Sequence, residues 1–524
     1  MLSCSRLVAV AGEVERCGLA ERRPCPASRT WAAFGSPLTT GSLLTWYSAW
    51  LSCRCVCKSI DWAGEVRVAR VACPEAAGPL EDYAARFDEL FSRLAQRRGF
   101  REYLTGLLAP RDRNKTLTGL AGAEPVTGAQ HAAVQRLQYF LSESTWDSEK
   151  VNDRRLKLLL SDPATAPHSA GVLVIDDSGD RKDGTATAHV GRQWLGRYGK
   201  TDSGIVTVTT VWADDRVYYP LHAEPYTPAS HFPKGRNDSD FRTKLRIAAD
   251  LVTKAQEAGV VCRAVVADCF YGDHDDLRAE LRQGGWGFVM ALKPSRGTWQ
   301  YQAEAYTPKD AAAAVGWNGP DDPGGWSEVR RVFRDGHTET WWAADASLGW
   351  WGPDGHTRLV VATTDPETLP DKATWYLATN LPRPGGAHDG PDNPHEAADL
   401  AEVVRLYGIR HWIEQSYKQV KDELGWADFQ VRSATAIHRH QTLVNCAFSF
   451  CWATWFGLPS TRDSANASPP GSSADDPGER GHPASPAGTT FLLAQGITRR
   501  PGLADPVAAA AALVESVVRQ APAR

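Results

Sequence analysis

Two separated aspartate positions in the sequence could carry metal chemistry. Asp176 and Asp177 follow the apolar run Val172–Ile175, and Asp268 follows the apolar run Val260–Ala267. Short apolar runs that end in polar residues are typical of buried strands. A buried strand that delivers a carboxylate at its end makes a rigid ligand position. The alternative is structural, because aspartate at a strand end is more often a turn former or a helix cap.

A third carboxylate lies on a predicted helix between two cationic side chains. Tyr407, Arg410, Glu414 and Lys421 are offset by 0, 3, 7 and 14 residues. At about 100° per residue, these four side chains fall within roughly 60° of one another. Such a charged strip is unsuited to a core. The alternative is a solvent-exposed helix face on which Arg410 and Glu414 form an ion pair, and spacing alone does not decide between the two.

The same spacing resembles the signature around the catalytic glutamate in a large class of bacterial insertion-sequence transposases. That signature places tyrosine, arginine, glutamate and lysine with two, three and six residues between them, and this sequence matches all four positions. The sequence is similar to the seven-hundred-and-one type of insertion sequence in the stretches Ile175–Gly179, Ala267–Gly272 and Trp412–Tyr417 with Glu423–Gly425. The resemblance covers about residues 80–455 and is specific, because three separated motifs occur in the same order.

The resemblance implies a fold class and an acidic triad. The fold is α/β, an RNase H-like catalytic domain of the retroviral-integrase type with a β-rich insertion, and a small helical domain precedes it. By motif position, Asp177, Asp268 and Glu414 are the catalytic, metal-holding residues. Asp177 is preferred because the aspartate of the family precedes a small hydroxyl residue, here Ser178. Asp176 is the alternate, since adjacent strand residues point in opposite directions and only one should face the site.

The implied activity is DNA transposition, in which transposon ends are cut and a 3′-hydroxyl is joined to target DNA. Two divalent ions can activate the nucleophile and stabilise the leaving oxyanion, and Mg²⁺ prefers oxygen ligands, with Mn²⁺ expected to substitute for it. The implied partners are double-stranded DNA, as terminal inverted repeats and as target, and a second copy in a homodimer. The DNA-binding residues expected are Tyr407, Arg410, Lys421, Arg192, Lys200 and Arg439.

Other interpretations stay open at this point. A catalytically inactive transposase-derived DNA-binding protein is the main alternative, although all three acids are present. A glycosidase-like hydrolase using Asp177 and Asp268 would have no use for the strip of Arg410 and Lys421. A soft-metal site at His411 and Glu414 needs a further ligand that the spacing does not supply.

Hydrophobic periodicity predicts the elements that must position these residues. Helical spacing covers 79–108, 128–142 and 147–160. Five strands and two helices then alternate up to residue 292, with a hairpin at Asp214-Asp215. Helices return at 398–424 and 434–456, and a short one is expected at 505–519. The strands are predicted at Val172–Ile175, Gly204–Ala213, Arg216–Glu224, Val260–Ala267 and Gly287–Leu292, and four strand-like pieces follow between residues 295 and 397.

These patterns predict five regions. A poorly structured N-terminal extension occupies 1–75, and a helical DNA-binding or dimerising domain occupies 76–165. The RNase H-like domain takes 166–294 and 398–457, the β-rich insertion 295–397, and a disordered linker with a short C-terminal helix 458–524, a stretch whose first part is rich in Ser, Pro, Gly and Asp.

Composition constrains the function classes only loosely. The net charge of −4 is weak evidence against a general nucleic-acid binder, although residues 181–200 carry five cations against one acid, Asp183. The sequence contains no run of about 18 apolar residues, so no membrane span is indicated. We expect a bacterial cytoplasmic protein that is nucleoid-associated when bound to DNA. Seven of eleven cysteines precede residue 75, and the spacing of Cys53, Cys55 and Cys57 does not match a zinc knuckle.

Overall fold

The structure is a computed structural model that describes residues 58–60, 66–68, 73–76, 78–125, 127–297, 306–333 and 336–457. The chain divides into two compact units, Met1–Ala72 and Cys73–Arg524. In the first unit, strands β1 (Lys58–Ile60) and β2 (Val66–Val68) form a two-stranded antiparallel sheet. The expected cysteine cluster and C-terminal helix lie outside the described residues.

The second unit begins with five helices. They are α1 (Pro79–Ala85), α2 (Leu94–Leu108), α3 (Leu117–Leu120), α4 (Ala132–Ser142) and α5 (Ser148–Ser161). The stretch predicted as one helix over 79–108 is broken by a 3₁₀ turn at Asp88–Leu90. Asp147 caps α5, since its side chain accepts hydrogen bonds from the backbone N–H groups of Glu149 and Lys150.

A mixed sheet forms the centre of the second unit. Its first strands are β3 (Val172–Arg181), β4 (Gly191–Leu195), β5 (Lys200–Ala213) and β6 (Tyr218–Pro225). Helix α6 (Lys244–Glu257) leads to β7 (Ala264–Ala267), and the short α7 (Cys269–Gly272) and α8 (Asp275–Gln283) lead to β8 (Phe288–Ala291). Strand β5 is antiparallel to β3 and β6, whereas β3, β7 and β8 run parallel. The order β6-β5-β3-β7-β8, with helices between the parallel strands, is the RNase H-like arrangement that the resemblance implies.

The strands of the expected insertion continue this sheet. After α9 (Pro308–Ala313) come β9 (Ser327–Val332), β10 (Thr338–Ala346), β11 (Arg358–Thr363) and β12 (Thr374–Thr379). Strand β12 pairs with β8, with Ala378 opposite Met290, so the four strands extend the central sheet to ten strands. They also enclose a second apolar cluster around Trp326, Leu348 and Tyr376.

The last helices are α10 (Leu400–Ile409), α11 (His411–Asp422) and α12 (Ala434–Gly457). The single helix predicted over 398–424 is therefore two helices that meet at Arg410. Asp399 caps the first of them by accepting a hydrogen bond from the backbone N–H of Glu402. Among the described residues, no helix is both long enough and apolar enough to cross a membrane.

The N-terminal helices share one core with the sheet. Phe100 and Leu104 of α2 belong to the same buried cluster as Val174 and Ile175 of β3. The Tyr83 hydroxyl donates a hydrogen bond to the backbone carbonyl of Cys446 on α12. A separate small helical domain is therefore not confirmed, because the apolar faces of these helices are buried against the body that carries the sheet.

Candidate active site

Two aspartates lie side by side on neighbouring parallel strands. In the β3–β7 pairing Ile175 is opposite Ala267, and the residues that follow them are Asp176 on β3 and Asp268 directly after the end of β7. Neighbouring strands lie about 4.8 Å apart, so this register brings the two backbones together at one edge of the sheet. Asp268 ends its strand as predicted and caps α7, with Oδ1 accepting from the backbone N–H groups of Phe270 and Tyr271. Both the strand-end and the helix-cap interpretations therefore apply to Asp268.

The sequence pattern predicted a turn at Asp176 and Asp177, but the two residues lie within a strand. Strand β3 continues to Arg181 and pairs with β5 along its whole length, including Asp176 with Thr209 and Asp177 with Val208. The strand extends because β5 offers fourteen residues of partner backbone, which the apolar run alone did not reveal. Both aspartates are consequently held in regular β-structure, with their side chains directed to different surroundings.

The two adjacent aspartates have different partners. Asp176 lies 3.4 Å from the Arg410 guanidinium, and its Oδ1 accepts a hydrogen bond from the backbone N–H of Asp177. Asp177 instead accepts from the Lys244 ammonium at 3.1 Å and from the Tyr271 hydroxyl at 3.3 Å. Only Asp176 therefore has an ion pair with the helix segment that carries the third carboxylate.

Arg410 links that third carboxylate to the strands. Its Nη1 lies 2.9 Å from Glu414 Oε1, while its Nη2 faces Asp176. The predicted ion pair between Arg410 and Glu414 is thus present. The Glu414 side chain is 63% exposed, whereas the side chains of Arg410 and Asp176 are each 15% exposed. The Asp176 side chain is therefore largely covered, whereas the Glu414 side chain is accessible to solvent.

Burial and repulsion between like charges set the electrostatics of the site. Burial raises the pKa of Asp176 to about 7; Arg410 opposes the increase, and Asp268 and Asp177 add to it. The pKa of Asp268 is also raised, mainly by burial. Burial acts to lower the pKa of Arg410, but Asp176, Tyr407 and Asp268 raise it overall. These carboxyls would gain from a further cation, because a nearby positive charge stabilises the ionised form.

Comparison with known proteins identifies the family. A family model described as DDE superfamily endonuclease matches residues 86–344. The probable transposase for insertion sequence element IS701 of Microchaete diplosiphon is 31% identical over 365 residues, which cover 68% of this chain and 84% of that protein. The chain belongs to the insertion-sequence transposases of the DDE superfamily. The family match includes Asp176, Asp177 and Asp268 and ends before Glu414.

A solved structure also matches this transposase chain weakly. It is the Mos1 transposase paired-end complex with left transposon end, at 13% sequence identity, with coverage of 50% of this chain and 70% of that one. The TM-score of this match is 0.13.

Two residues of the transposase signature lie away from solvent. Tyr407 packs against Trp375, with ring centroids 4.9 Å apart, and burial raises its pKa to about 12. Lys421 was predicted to contact DNA phosphates, but its Nζ lies 2.6 Å from Asp180 Oδ1 and its side chain is only 5% exposed. The continuation of β3 past Asp177 therefore holds this ammonium in an internal ion pair, and a contact between Lys421 and DNA phosphates stays a prediction.

The three basic residues expected to bind DNA outside the signature divide into two groups. Arg192 is exposed on β4, and Lys200 is exposed at the start of β5, where it pairs with Asp202. Arg439 is 5% exposed and donates to the backbone carbonyls of Leu141 and Trp146. The Arg439 guanidinium thus satisfies carbonyl groups inside the protein, and its role in DNA binding stays a prediction.

Three residues at the site were not singled out from the sequence. Lys244 and Tyr271 contact Asp177, and Tyr417 shares a hydrogen bond with Thr209, the β5 partner of Asp176. Tyr271 and Tyr417 stand inside two motifs that carry the resemblance, so an available signal was overlooked. Lys244 had no such signal, because only the fold brings the first turn of α6 beside β3.

Proposed function

We propose that this transposase cuts the ends of its element with a divalent metal ion and joins the resulting 3′-hydroxyl to target DNA. The observation that carries the proposal is the placement of Asp176 on β3 and of Asp268 directly after the adjacent parallel strand β7, with Arg410 bridging from Asp176 to Glu414. Three carboxylates, on a strand, at a strand end and on a helix, match what phosphodiester hydrolysis and transesterification require of a rigid acidic site.

We propose Asp176, rather than the sequence-predicted Asp177, as the first acid of the triad. Asp176 and Glu414 both form an ion pair with Arg410, and the negative charge of Asp268 raises the pKa of Asp176. Asp177 already has a neighbouring ammonium and a tyrosine hydroxyl as partners. Because the shared contact with Arg410 groups Asp176 with Glu414, we assign Asp177 to positioning β3 against α6 and α7.

The residues present suit a hard divalent cation such as Mg²⁺ or Mn²⁺. Carboxylate oxygens are the ligands these ions prefer. Because the pKa values of Asp176 and Asp268 are raised, a nearby cation would stabilise the ionised form of both carboxyls. In the described part of the chain, no group of three or more His, Cys, Asp or Glu is arranged to hold a metal ion. Instead, the Arg410 guanidinium supplies the positive charge between the carboxylates. When bound, the metal would activate the attacking hydroxyl and stabilise the leaving oxyanion.

The side chains around the triad have separate roles in this proposal. Arg410 is a bidentate donor suited to a phosphate group, and it holds Asp176 and Glu414 until DNA enters. Tyr407 packs against Trp375 and lies close enough to Arg410 to raise the pKa of its guanidinium, which favours the charged form that binds phosphate. Glu414 is exposed, so it can turn towards the buried aspartates as the substrate binds.

Cleavage of labelled DNA carrying the terminal inverted repeat beside the coding sequence tests the proposal. In Mg²⁺ or Mn²⁺, Asp176→Asn, Asp268→Asn and Glu414→Gln should each lower cleavage by more than about 100-fold. The matched control, Asp177→Asn, should retain cleavage within about tenfold. EDTA should abolish cleavage by the wild type and leave binding to the DNA in place.

Each other outcome has a definite meaning. Loss of cleavage in Asp177→Asn, with Asp176→Asn active, would return the first triad position to Asp177. Binding of the terminus without cleavage in either metal would identify a catalytically inactive DNA-binding protein. We further propose a nucleoid location and a homodimer on DNA. Mass measurement of the complex with one and with two labelled ends tests the homodimer directly.

A further inference from the structure

A hairpin next to the active site exposes two large aromatic rings. Strand β4, the turn 196–199 and the start of β5 form this hairpin, with Trp194 opposite Thr201. Trp194 is 60% exposed and Tyr198 is 48% exposed. Exposed aromatic groups on an ordered element often mark an interaction surface, because leaving them in water costs free energy that a partner recovers.

The same hairpin is strongly basic. Arg192, Arg197 and Lys200 alternate with the two rings, and no acidic residue occurs between positions 184 and 201. The nearest acid on the hairpin is Asp202, which pairs with Lys200 at 3.1 Å. The base of the hairpin borders an open groove of about 420 Å³ that Arg192, Ser203, Ser230 and His231 line together. Cations and hydroxyl groups of this kind suit phosphate oxygens.

The hairpin is anchored close to the proposed triad. Leu195, on the inner side of β4, packs where a Cβ on Gly179 would lie, at 2.7 Å from that position. Gly179 is three residues from Asp176, which is roughly 10 Å along β3. At the tip, Arg197 lies 3.4 Å from Asp422, the last residue of the helix that carries Glu414. The hairpin is therefore held against β3 through Leu195 and against α11 at its tip through Arg197.

We propose that this hairpin contacts the transposon DNA next to the cut, with Trp194 and Tyr198 stacking on unpaired bases. The inference rests on the proposed function and adds the residues that hold the opened DNA. Aromatic rings bind any base through its face, and flanking cations follow the backbone. Arg192, Arg197 and Lys200 contact the phosphates, so base stacking and charge neutralisation come from a single element of the fold.

Binding measured without metal separates this proposal from the catalytic one. The probes are a fluorescent duplex carrying the terminal repeat and the same duplex with unpaired bases beside the cut, titrated in EDTA. Trp194→Ala and Tyr198→Ala should each weaken binding to the unpaired probe by about tenfold and change binding to the full duplex much less. Trp194→Phe should restore most of the affinity. Arg197→Ala should weaken both probes equally and reduce the slope of log K against log salt by about 1.

Trp350→Ala is the matched control, since Trp350 is 83% exposed and lies between β10 and β11, outside the basic hairpin. This variant should bind both probes as the wild type does. The proposal would be overturned if the affinity for the unpaired probe were the same for Trp194→Ala, Tyr198→Ala and Trp350→Ala. Cleavage by the wild type would leave the catalytic proposal intact in that case. A change in oligomeric mass with Trp194→Ala, at unchanged DNA affinity, would instead assign the rings to a protein interface and overturn it as well. A wild type that neither binds nor cuts DNA would refute both.

Discussion

Replacing Lys421 with methionine distinguishes a structural lysine from a DNA-contacting one. The substitution removes the ammonium and keeps an unbranched side chain of similar length. In the structure the ammonium lies 2.6 Å from Asp180 Oδ1 and 3.3 Å from the Gly179 carbonyl oxygen. The side chains of Lys421 and Asp180 are 5% and 9% exposed, so little water is available to replace the lost partner.

The magnitude follows from the burial of this pair. Removing one partner of a buried ion pair costs about 3–5 kcal/mol, because the remaining charge is left uncompensated. An unfolding entropy of about 2.1 cal/mol/K per residue over roughly 380 described residues gives about 0.8 kcal/mol/K. The Lys421→Met variant should therefore unfold about 4–6 °C below the wild type. Its affinity for terminal DNA, measured well below that temperature, should stay within about threefold of wild type.

A double-mutant cycle isolates the pair. Asp180→Asn should also destabilise the protein, because it leaves the Lys421 ammonium buried without a carboxylate. The loss of unfolding free energy in the double variant should be smaller than the sum of the losses in the two single variants by about 2 kcal/mol or more. The measurement is thermal unfolding by circular dichroism for the wild type and the three variants, with the salt dependence of DNA binding measured in parallel.

The opposite result is equally clear. A phosphate contact at Lys421 predicts unchanged unfolding temperature, weaker DNA binding and a salt slope smaller by about 1. That pattern, together with additive effects of Asp180→Asn and Lys421→Met, would refute the internal ion pair and restore the role that the family signature implies for this lysine.

Two further predictions concern the frame around the site. Burial lowers the pKa of His440 to about 4, and the Tyr103 hydroxyl bonds its Nδ1. As the pH falls below about 6.5, His440 is protonated in the unfolded chain but stays neutral in the folded chain. The free energy of unfolding should therefore decrease by about 3 kcal/mol from pH 6.5 to 4. Denaturant titrations should show a shallower decline for His440→Gln, and parallel declines would contradict this account. A Cβ on Gly272 would lie 1.9 Å from the Ala291 carbonyl oxygen. Gly272→Ala should cost about 3 kcal/mol or more by thermal unfolding, whereas the control Gly316→Ala, with open space around it, should be neutral, and equal unfolding temperatures for the two variants would disprove the close approach.

The local pattern of apolar residues was sufficient to predict most helices and strands, but not where each of them ends. Most strands and helices up to β8 were predicted in the observed order, because apolar periodicity follows burial directly. Strand β4 (Gly191–Leu195) was not predicted. Strand β3 was predicted to stop at Ile175 and runs to Arg181. Its last residues are polar or glycine, and they are held by pairing with β5, a long-range contact to which local periodicity is blind. The break between α10 and α11 at Arg410 was likewise invisible, since both helices keep the same apolar spacing.

That single error in strand length explains why the charged strip was misjudged. Glu414 and Lys421 are seven residues apart and point in nearly the same direction from their helix, yet one is 63% exposed and the other 5% exposed. The difference arises because β3 continues beneath the C-terminal half of α11 and places Gly179 and Asp180 against Lys421. Had β3 ended at Ile175, this lysine would face solvent beside the glutamate. Helix geometry predicts which side chains share a direction, but the neighbouring strand determines which of them is exposed to solvent.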